Sequence, residues 1–312
     1  MIIDAHCHLV DEKWLPQRWW EELAKVAVNV LRKMGMTDVT TESVIRDLLP
    51  AFFYDPTGER QLKNMEEAGL DRVVIFPVDY GMPLGEPPVP IEEVNRMFAD
   101  LQKRYPDKFI TLVTVDPRRP QARDLVKKAL EEWGMRGVKL HQASGFYPNG
   151  KETYALLESI ADRRVPVVFH TGHIVQPLYS KYCDPMYLDD VCVDFPELTI
   201  IAAHMGHGFR DQIMHQGACK TNLWTDCSDW QRRAAHEPHL FAETLRAALD
   251  NFTSERVMFG TDGPYLRMVL PDKNFIEIVK SLPEAAPGGI KFTQEEIDAV
   301  LGGNAARLYG LA

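Results

Sequence analysis

Eight short apolar runs, separated for the most part by segments of helical period, constrain this sequence more than any other feature. They are Ile2–His8, Arg72–Val78, Ile110–Asp116, Gly137–Gln142, Pro166–Gly172, Leu198–Gly206, Asn222–Ser228 and Val257–Pro264. Several are near-continuous Val, Ile, Leu and Phe, as strands buried on both faces require. Helical periodicity marks Glu59–Gly69, Ile91–Tyr105, Arg118–Trp133, Thr153–Arg164 and His239–Asn251. Gly69 and Gly134 close two of these and Pro106 follows a third, as helix stop signals do. Strand-helix alternation repeated this often predicts an α/β fold, a closed (β/α)₈ TIM barrel rather than an open sheet. A chain of 312 residues suits such a barrel as a single domain, 1–312.

Three connections exceed the usual few residues. Leu9–Thr57 (residues 9–57) is read as a helical insertion after the first strand, with helices over Gln17–Met34 and Thr41–Leu49. His173–Asp190 follows the fifth strand and Tyr265–Pro271 the eighth. All three leave the C-terminal ends of strands, where barrels build their sites, so they are expected to wall or cover a pocket. Near the end, Thr293 with Glu296 forms a helix-capping pattern, and Asn304 stands near the start of a last helix.

The formal net charge of -10 argues against nonspecific nucleic-acid binding, which needs clustered Lys and Arg. No apolar run approaches the roughly 18 residues of a membrane span, and no secretory-signal pattern opens the chain. The five cysteines are scattered without a Cys-x-x-Cys pair, which suits a reduced, cytoplasmic protein. The expected partner is a small-molecule substrate, with room for a homodimer.

His6 and His8 are spaced one residue apart at the end of the first run, so both face one way. Two imidazoles converging from one stiff segment are half of a metal site. The fourth run supplies Lys139 and His141, the fifth His170, the sixth His204 and the eighth Asp262. Five of eight strands thus deliver a metal-binding residue type at the same end. His173 and His207 each lie three residues beyond a strand-end histidine and belong to pocket loops. Asp226 can orient a histidine, while Cys7 alternates away from its neighbours and packs. His215, His236 and His239 read as surface residues.

Asp4-Ala5-His6-Cys7-His8, Gly137-Val138-Lys139-Leu140-His141, the His170 and His204 strands, Thr261-Asp262 and the ending Leu301–Gly310 together resemble the amidohydrolase superfamily. The nearest branch is the amidohydrolase-related one that includes aminocarboxymuconate-semialdehyde decarboxylase. The resemblance implies a barrel holding a divalent metal at its mouth, with His6, His8, His170 and Asp262 as ligands. It implies His204 as the catalytic histidine, with Asp262 sharing the proton handling. One ion is expected, Zn²⁺ first, with Mn²⁺ or Fe²⁺ as alternatives. A second ion enters only if Lys139 is carboxylated; otherwise Lys139 is a buried ammonium paired with Asp262 or with a substrate carboxylate. His141, like His173 and His207, is a candidate substrate contact. The leading expectation is hydrolysis of an amide, ester or lactone of a small, carboxylate-bearing molecule by a metal-activated water. The alternative is non-oxidative decarboxylation, or hydration, of an aromatic or unsaturated acid. A decarboxylase would call for a cationic clamp, with Arg46, Arg60, Arg210, Arg232 and Arg267 as candidates.

Overall fold

A computed structural model describes residues 1–33 and 35–311. Strand β1 (Ile3–Cys7) pairs in parallel with β2 (Arg72–Ile75), and β2 with β3, which comes in two pieces, Phe109–Thr111 and Val113–Thr114. Strands β4 (Val138–Leu140), β5 (Val167–Phe169), β6 (Ile200–Ala202), β7 (Leu223–Asp226) and β8 (Val257–Met258) follow in order, each parallel to the one before. Leu112 joins the pieces of β3: its N–H donates to Ile75 O at 3.1 Å, and Val113 N–H donates to Gly137 O at 3.0 Å. The ends close the same way. Ala5 N–H donates to Phe259 O at 2.8 Å and His8 N–H to Gly263 O at 2.7 Å. The fold is the expected (β/α)₈ barrel, and each of the eight apolar runs carries one strand, the third strand starting one residue ahead of its run, at Phe109.

Alternation along the strands sorts side chains into two layers. Val73, Ile75, Val138, Leu140, Val167 and Phe169 face outward under the helices. Ile3, Val74, Ile110, Leu112, Val168, Ile201 and Met258 fill the barrel, and Ala305, Ala306 and Tyr309 plug it from the C-terminal tail. The surrounding helices are amphipathic. In Ile91–Arg104, Ile91, Val94, Phe98 and Leu101 are buried, Glu92 and Glu93 sit in the first turn, and Lys103 and Arg104 in the last; both charge placements suit the helix dipole. Glu59–Ala68 ends on Gly69 at φ 71°, a left-handed position glycine occupies without a Cβ clash.

Helices beyond those the sequence predicts include Arg210–Cys219 and Asp272–Ala285, with the shorter Tyr187–Asp194 and Gln231–His236. The first has a polar sequence with little apolar periodicity. The second carries Pro283, which reads as a breaker but falls in its last turn. The capping box at Thr293 is present, with Thr293 N–H on Glu296 Oε2 at 2.9 Å and Glu296 N–H on Thr293 Oγ1 at 3.2 Å.

In the insertion, the first helix spans Gln17–Lys33; Met34, where the sequence reading ended it, lies outside the described residues. Thr41–Ser43, a π-helical stretch Val44–Leu48 and Leu49–Phe52 run on as one helical segment. Trp19, Trp20, Ala24, Val28 and Leu31 of the insertion form a second core with Val78, Tyr80, Ala143, Leu178 and Cys183 from the connections that follow other strands. The insertion therefore lies over the C-terminal mouth of the barrel. Among the described residues no helix is long and apolar enough to cross a membrane.

Candidate active site

At that mouth the side chains singled out in the sequence converge. Ligand atoms of His6, His8 and Asp262 lie within 4.8 Å of one another, as do those of His6, His204 and Asp226. His8 Nε2 is 3.2 Å and His6 Nε2 3.4 Å from Asp262 Oδ1. His170 belongs to neither group. Its Nδ1 faces His204 Nε2 at 3.0 Å, its ring stacks on His141 at 4.2 Å, and its Nε2 is buried without a partner among the described residues.

The hydrogen bonds assign each tautomer. His8 Nδ1 lies 3.1 Å from Phe76 O, a carbonyl that only accepts, so Nδ1 carries the proton and Nε2 a lone pair. His6 Nδ1 donates to Asp226 Oδ2 at 3.0 Å, leaving Nε2 a lone pair that faces the site and Lys139 Nζ. The Ser228 hydroxyl donates to Asp226 Oδ1 and so accepts from His204 Nδ1 at 2.7 Å. His204 Nε2 is then a lone pair, His170 Nδ1 donates to it, and the orphaned His170 Nε2 is a lone pair as well. His6, His8 and Asp262 bring two imidazole lone pairs and a carboxylate together, and the orphaned His170 Nε2 is a further imidazole donor at the same mouth, the donor chemistry a divalent zinc- or manganese-type ion takes. The residues present fit such an ion.

Burial, more than any neighbour, lowers the pKa of His6, His170, His204 and His141 well below the ordinary histidine range, so the rings stay neutral. Burial also raises Asp262. Lys139 is fully buried with Nζ 3.4 Å from His6 Nε2 and 4.9 Å from the centre of the Phe76 ring. Burial lowers it to about 8. The expected ion pair with Asp262 is not formed among the described residues; Lys139 spends its ammonium on an imidazole and a ring face instead.

Two of these residues are held in strained backbone. His204 has φ 66° and Asp262 φ 51°, left-handed values costing roughly 1–3 kcal/mol each away from glycine. The strain is held by tertiary contacts. His204 N–H donates to Asp226 Oδ1 at 3.0 Å, and its carbonyl accepts from Trp230 Nε1 at 2.6 Å. Asp262 N–H donates to His6 O at 2.8 Å. Asp4 ties the first strand to the eighth, accepting from His6 N at 3.0 Å, Thr261 N at 3.0 Å and Thr261 Oγ1 at 2.5 Å. Gly260 allows close approach: a Cβ there would stand 2.9 Å from His6 Cβ.

Aromatic rings cover the donors. Tyr265 meets His8 at 5.8 Å and Phe53 meets Tyr265 at 5.8 Å. Tyr80 meets His141 at 5.0 Å, its hydroxyl 3.0 Å from Nε2, and Trp19 meets Tyr80 at 4.8 Å. His207 lies outside this set, paired with Asp229 at 2.8 Å, and exposed His173 stacks on Phe209. The arginines are engaged elsewhere. Arg46 is on Asp47, Arg60 on the Ala51 and Pro50 carbonyls, Arg210 on Thr244, and Arg267 on Asp272 and Gln61, while Arg232 is exposed. Asp226 was foreseen as an orienter. Ser228, Tyr80 and Trp19 were not, because only contacts across the fold identify them.

A family model described as amidohydrolase matches residues 3–311. No curated protein matches the chain. Among solved structures, an uncharacterized TIM-barrel protein of Bordetella bronchiseptica is 21% identical, with TM-score 0.70, covering 99% of this chain and 98% of that one. An amidohydrolase of Burkholderia multivorans with bound zinc is 16% identical, TM-score 0.68, covering 99% of each chain. A 5-carboxyvanillate decarboxylase of Novosphingobium aromaticivorans, complexed with manganese and 4-hydroxy-3-methoxy-5-nitrobenzoic acid, is 17% identical, TM-score 0.65, covering 99% of this chain and 96% of that one.

Proposed function

Because the chain belongs to the amidohydrolase family, we propose that it is a metal-dependent carboxy-lyase, removing CO₂ without an oxidant from a small aromatic or unsaturated acid. This is the alternative of the sequence reading, and it now stands ahead of hydrolysis. The observation that carries it is the aromatic cover over the donors, Tyr265 and Phe53 on the His8 side and Tyr80 and Trp19 on the His141 side. Decarboxylation disperses a carboxylate's charge on the way to the transition state, so a site that strips water from the carboxylate favours it. Hydrolysis needs water delivered to the same place. The likeness in fold to a manganese-containing decarboxylase supports the choice.

In this reading His6, His8, His170 and Asp262 hold one divalent cation, and zinc and manganese both suit their donor atoms. When bound, the cation supplies positive charge to the acidic oxygens of the substrate. The chain's own groups do the rest. Asp226 and Ser228 keep one proton on His204 Nδ1, so Nε2, once released from the His170 N–H that donates to it, is the atom that takes a proton from water and passes it on. That proton replaces the carboxylate on the carbon that loses CO₂, and the electron pair of the broken bond forms the new C–H bond. Neither oxidant nor reductant is consumed.

Hydrolysis remains a second reading on one observation: the Asp262 side chain keeps 18% exposure at the mouth, where water can reach it. The test offers the manganese- or zinc-loaded protein a panel of hydroxybenzoic and carboxylated methoxyphenolic acids beside lactones, esters and amides. Release of CO₂ matching loss of acid is expected. Acid release from the second group with no CO₂ from the first would restore the hydrolytic reading.

A further inference from the structure

His6, His8 and Asp262 come from β1 and the end of β8, the two strands whose pairing closes the barrel. How well these groups converge therefore depends on how that seam is held. Cys7 lies between the two histidines and faces the outer layer. Arg267 crosses the seam on that outer side. Its Nη2 donates to Cys7 Sγ at 3.6 Å and to Gln61 Oε1, and its Nε donates to Asp272 Oδ2 at 2.8 Å. The same guanidinium lies against the residue after Asp262: a Cβ at Gly263 would stand 2.5 Å from Arg267 Nη2, so only glycine leaves room. One planar cation thus touches β1, the Asp262 turn and the helices Glu59–Ala68 and Asp272–Ala285. Cys7, Gln61 and Asp272 are all buried, and Asn64 Nδ2 also donates to Asp272 Oδ2 at 2.8 Å. The turn needs such support. Asp262 has φ 51°, and strained backbone persists only where its surroundings over-determine it.

We propose that Arg267 is a positioning residue for the cation site: it ties the Asp262 turn to β1 and so sets where the Asp262 carboxylate stands relative to His6 and His8. The role rests on the metal-holding part of the reading above and not on the reaction, since the same tie would serve a hydrolase. It also differs from the clamp on a substrate carboxylate for which the sequence made Arg267 a candidate. The guanidinium acts from behind the seam, through the backbone at Gly263, whose carbonyl accepts from His8 N–H at 2.7 Å. Gln61 extends the tie to the insertion, because its own N–H donates to Asp55 Oδ2 at 2.8 Å. A planar fork with several donors can hold Cys7, Gln61 and Asp272 at once; an ammonium on a flexible stem cannot.

The test is manganese binding to the full chain, measured by competition against a chromophoric chelator. The EPR line shape of the bound manganese, which follows ligand symmetry, and urea unfolding of the metal-free protein are recorded beside it. Arg267→Lys keeps a positive charge opposite Asp272 and gives up the planar fork. It should stay folded and yet bind manganese about tenfold more weakly, the low end for groups that support ligands from outside the inner sphere, with an altered line shape. Arg267→Met combined with Asp272→Asn removes the pair without stranding a buried charge and should act in the same direction. Thr293→Ala, which loosens a distant helix cap, should lose stability and leave affinity and line shape unchanged. Wild-type affinity and line shape in both Arg267 variants would overturn the positioning role and leave the cation site standing. An equal loss of affinity in Thr293→Ala would overturn it too, by making affinity a follower of overall stability. If wild type itself takes up neither manganese nor zinc, the metal reading falls and the role of Arg267 with it.

Discussion

Replacing Asp226 by Asn tests the geometry most directly, because one carboxylate organises two of the proposed functional histidines. Its Oδ2 accepts from His6 Nδ1 at 3.0 Å, and its Oδ1 accepts from His204 N at 3.0 Å, Ser228 N at 3.1 Å and the Ser228 hydroxyl. An asparagine has one acceptor oxygen. Three of the four bonds converge on Oδ1, so the amide oxygen stays there and the NH₂ group faces His6. Two donors cannot share a hydrogen bond, so His6 must move its proton to Nε2, the atom that faces the site. One charge-assisted hydrogen bond is lost, worth about 1.5–3 kcal/mol, and a metal-facing lone pair is lost with it. The expected result is metal affinity weaker by roughly 10- to 100-fold, the range for outer-sphere partners of ligating histidines. Competition against a chromophoric chelator would measure it on folded protein, with circular dichroism confirming that Asp226→Asn retains the barrel. An unchanged dissociation constant would refute the tautomer argument, and with it the account of why His6 presents Nε2.

Three further outcomes are expected. His204→Asn should retain the metal and lower kcat by about 10²–10⁴, the usual worth of a proton-transfer group; loss of metal instead would make His204 a ligand. In metal-free protein, Lys139 at about 8 against an ordinary 10.5 leaves the unfolded chain holding the extra proton between those values. Stability therefore rises with pH from about 8 to 10.5, and the penalty is fully present below 8. Lys139→Met should remove that slope, about 3 kcal/mol in all, and urea unfolding of both proteins at pH 7 and pH 10 with equal differences would refute it. Thr293→Ala breaks the capping box and should cost about 1 kcal/mol in the same assay, with no change in metal binding.

Local pattern carried much of this protein. Strands reveal themselves by short apolar runs, and on β4 and β5 strict alternation was enough to aim Lys139, His141 and His170 into the barrel. It was not enough on β1 or β6. Ile3 and Ala5 fill the interior, so period two alone would turn His6 outward; the pairing of β1 with β2 shifts register between Asp4 and Cys7, and His6 faces the site while Cys7 joins the outer layer. On β6 the interior residue is Ala203, and left-handed backbone at His204 re-aims the next side chain inward. The helix Asp272–Ala285 carries buried Phe275, Ile276, Val279 and Leu282 on one face, and Pro283 falls in its last turn, too late to break it.

Residue types, their order and the end of the barrel at which they gather were thus legible along the chain, since each depends on neighbours a few positions away. Which nitrogen of each histidine faces the site, which ring covers it and which donors stay unpartnered were decided only on folding. His6 meets Asp226 across 220 positions, and Thr261 meets Asp4 across 257. A hydrogen bond sets a tautomer through distance and direction, and no periodicity in a linear chain records either for partners so far apart.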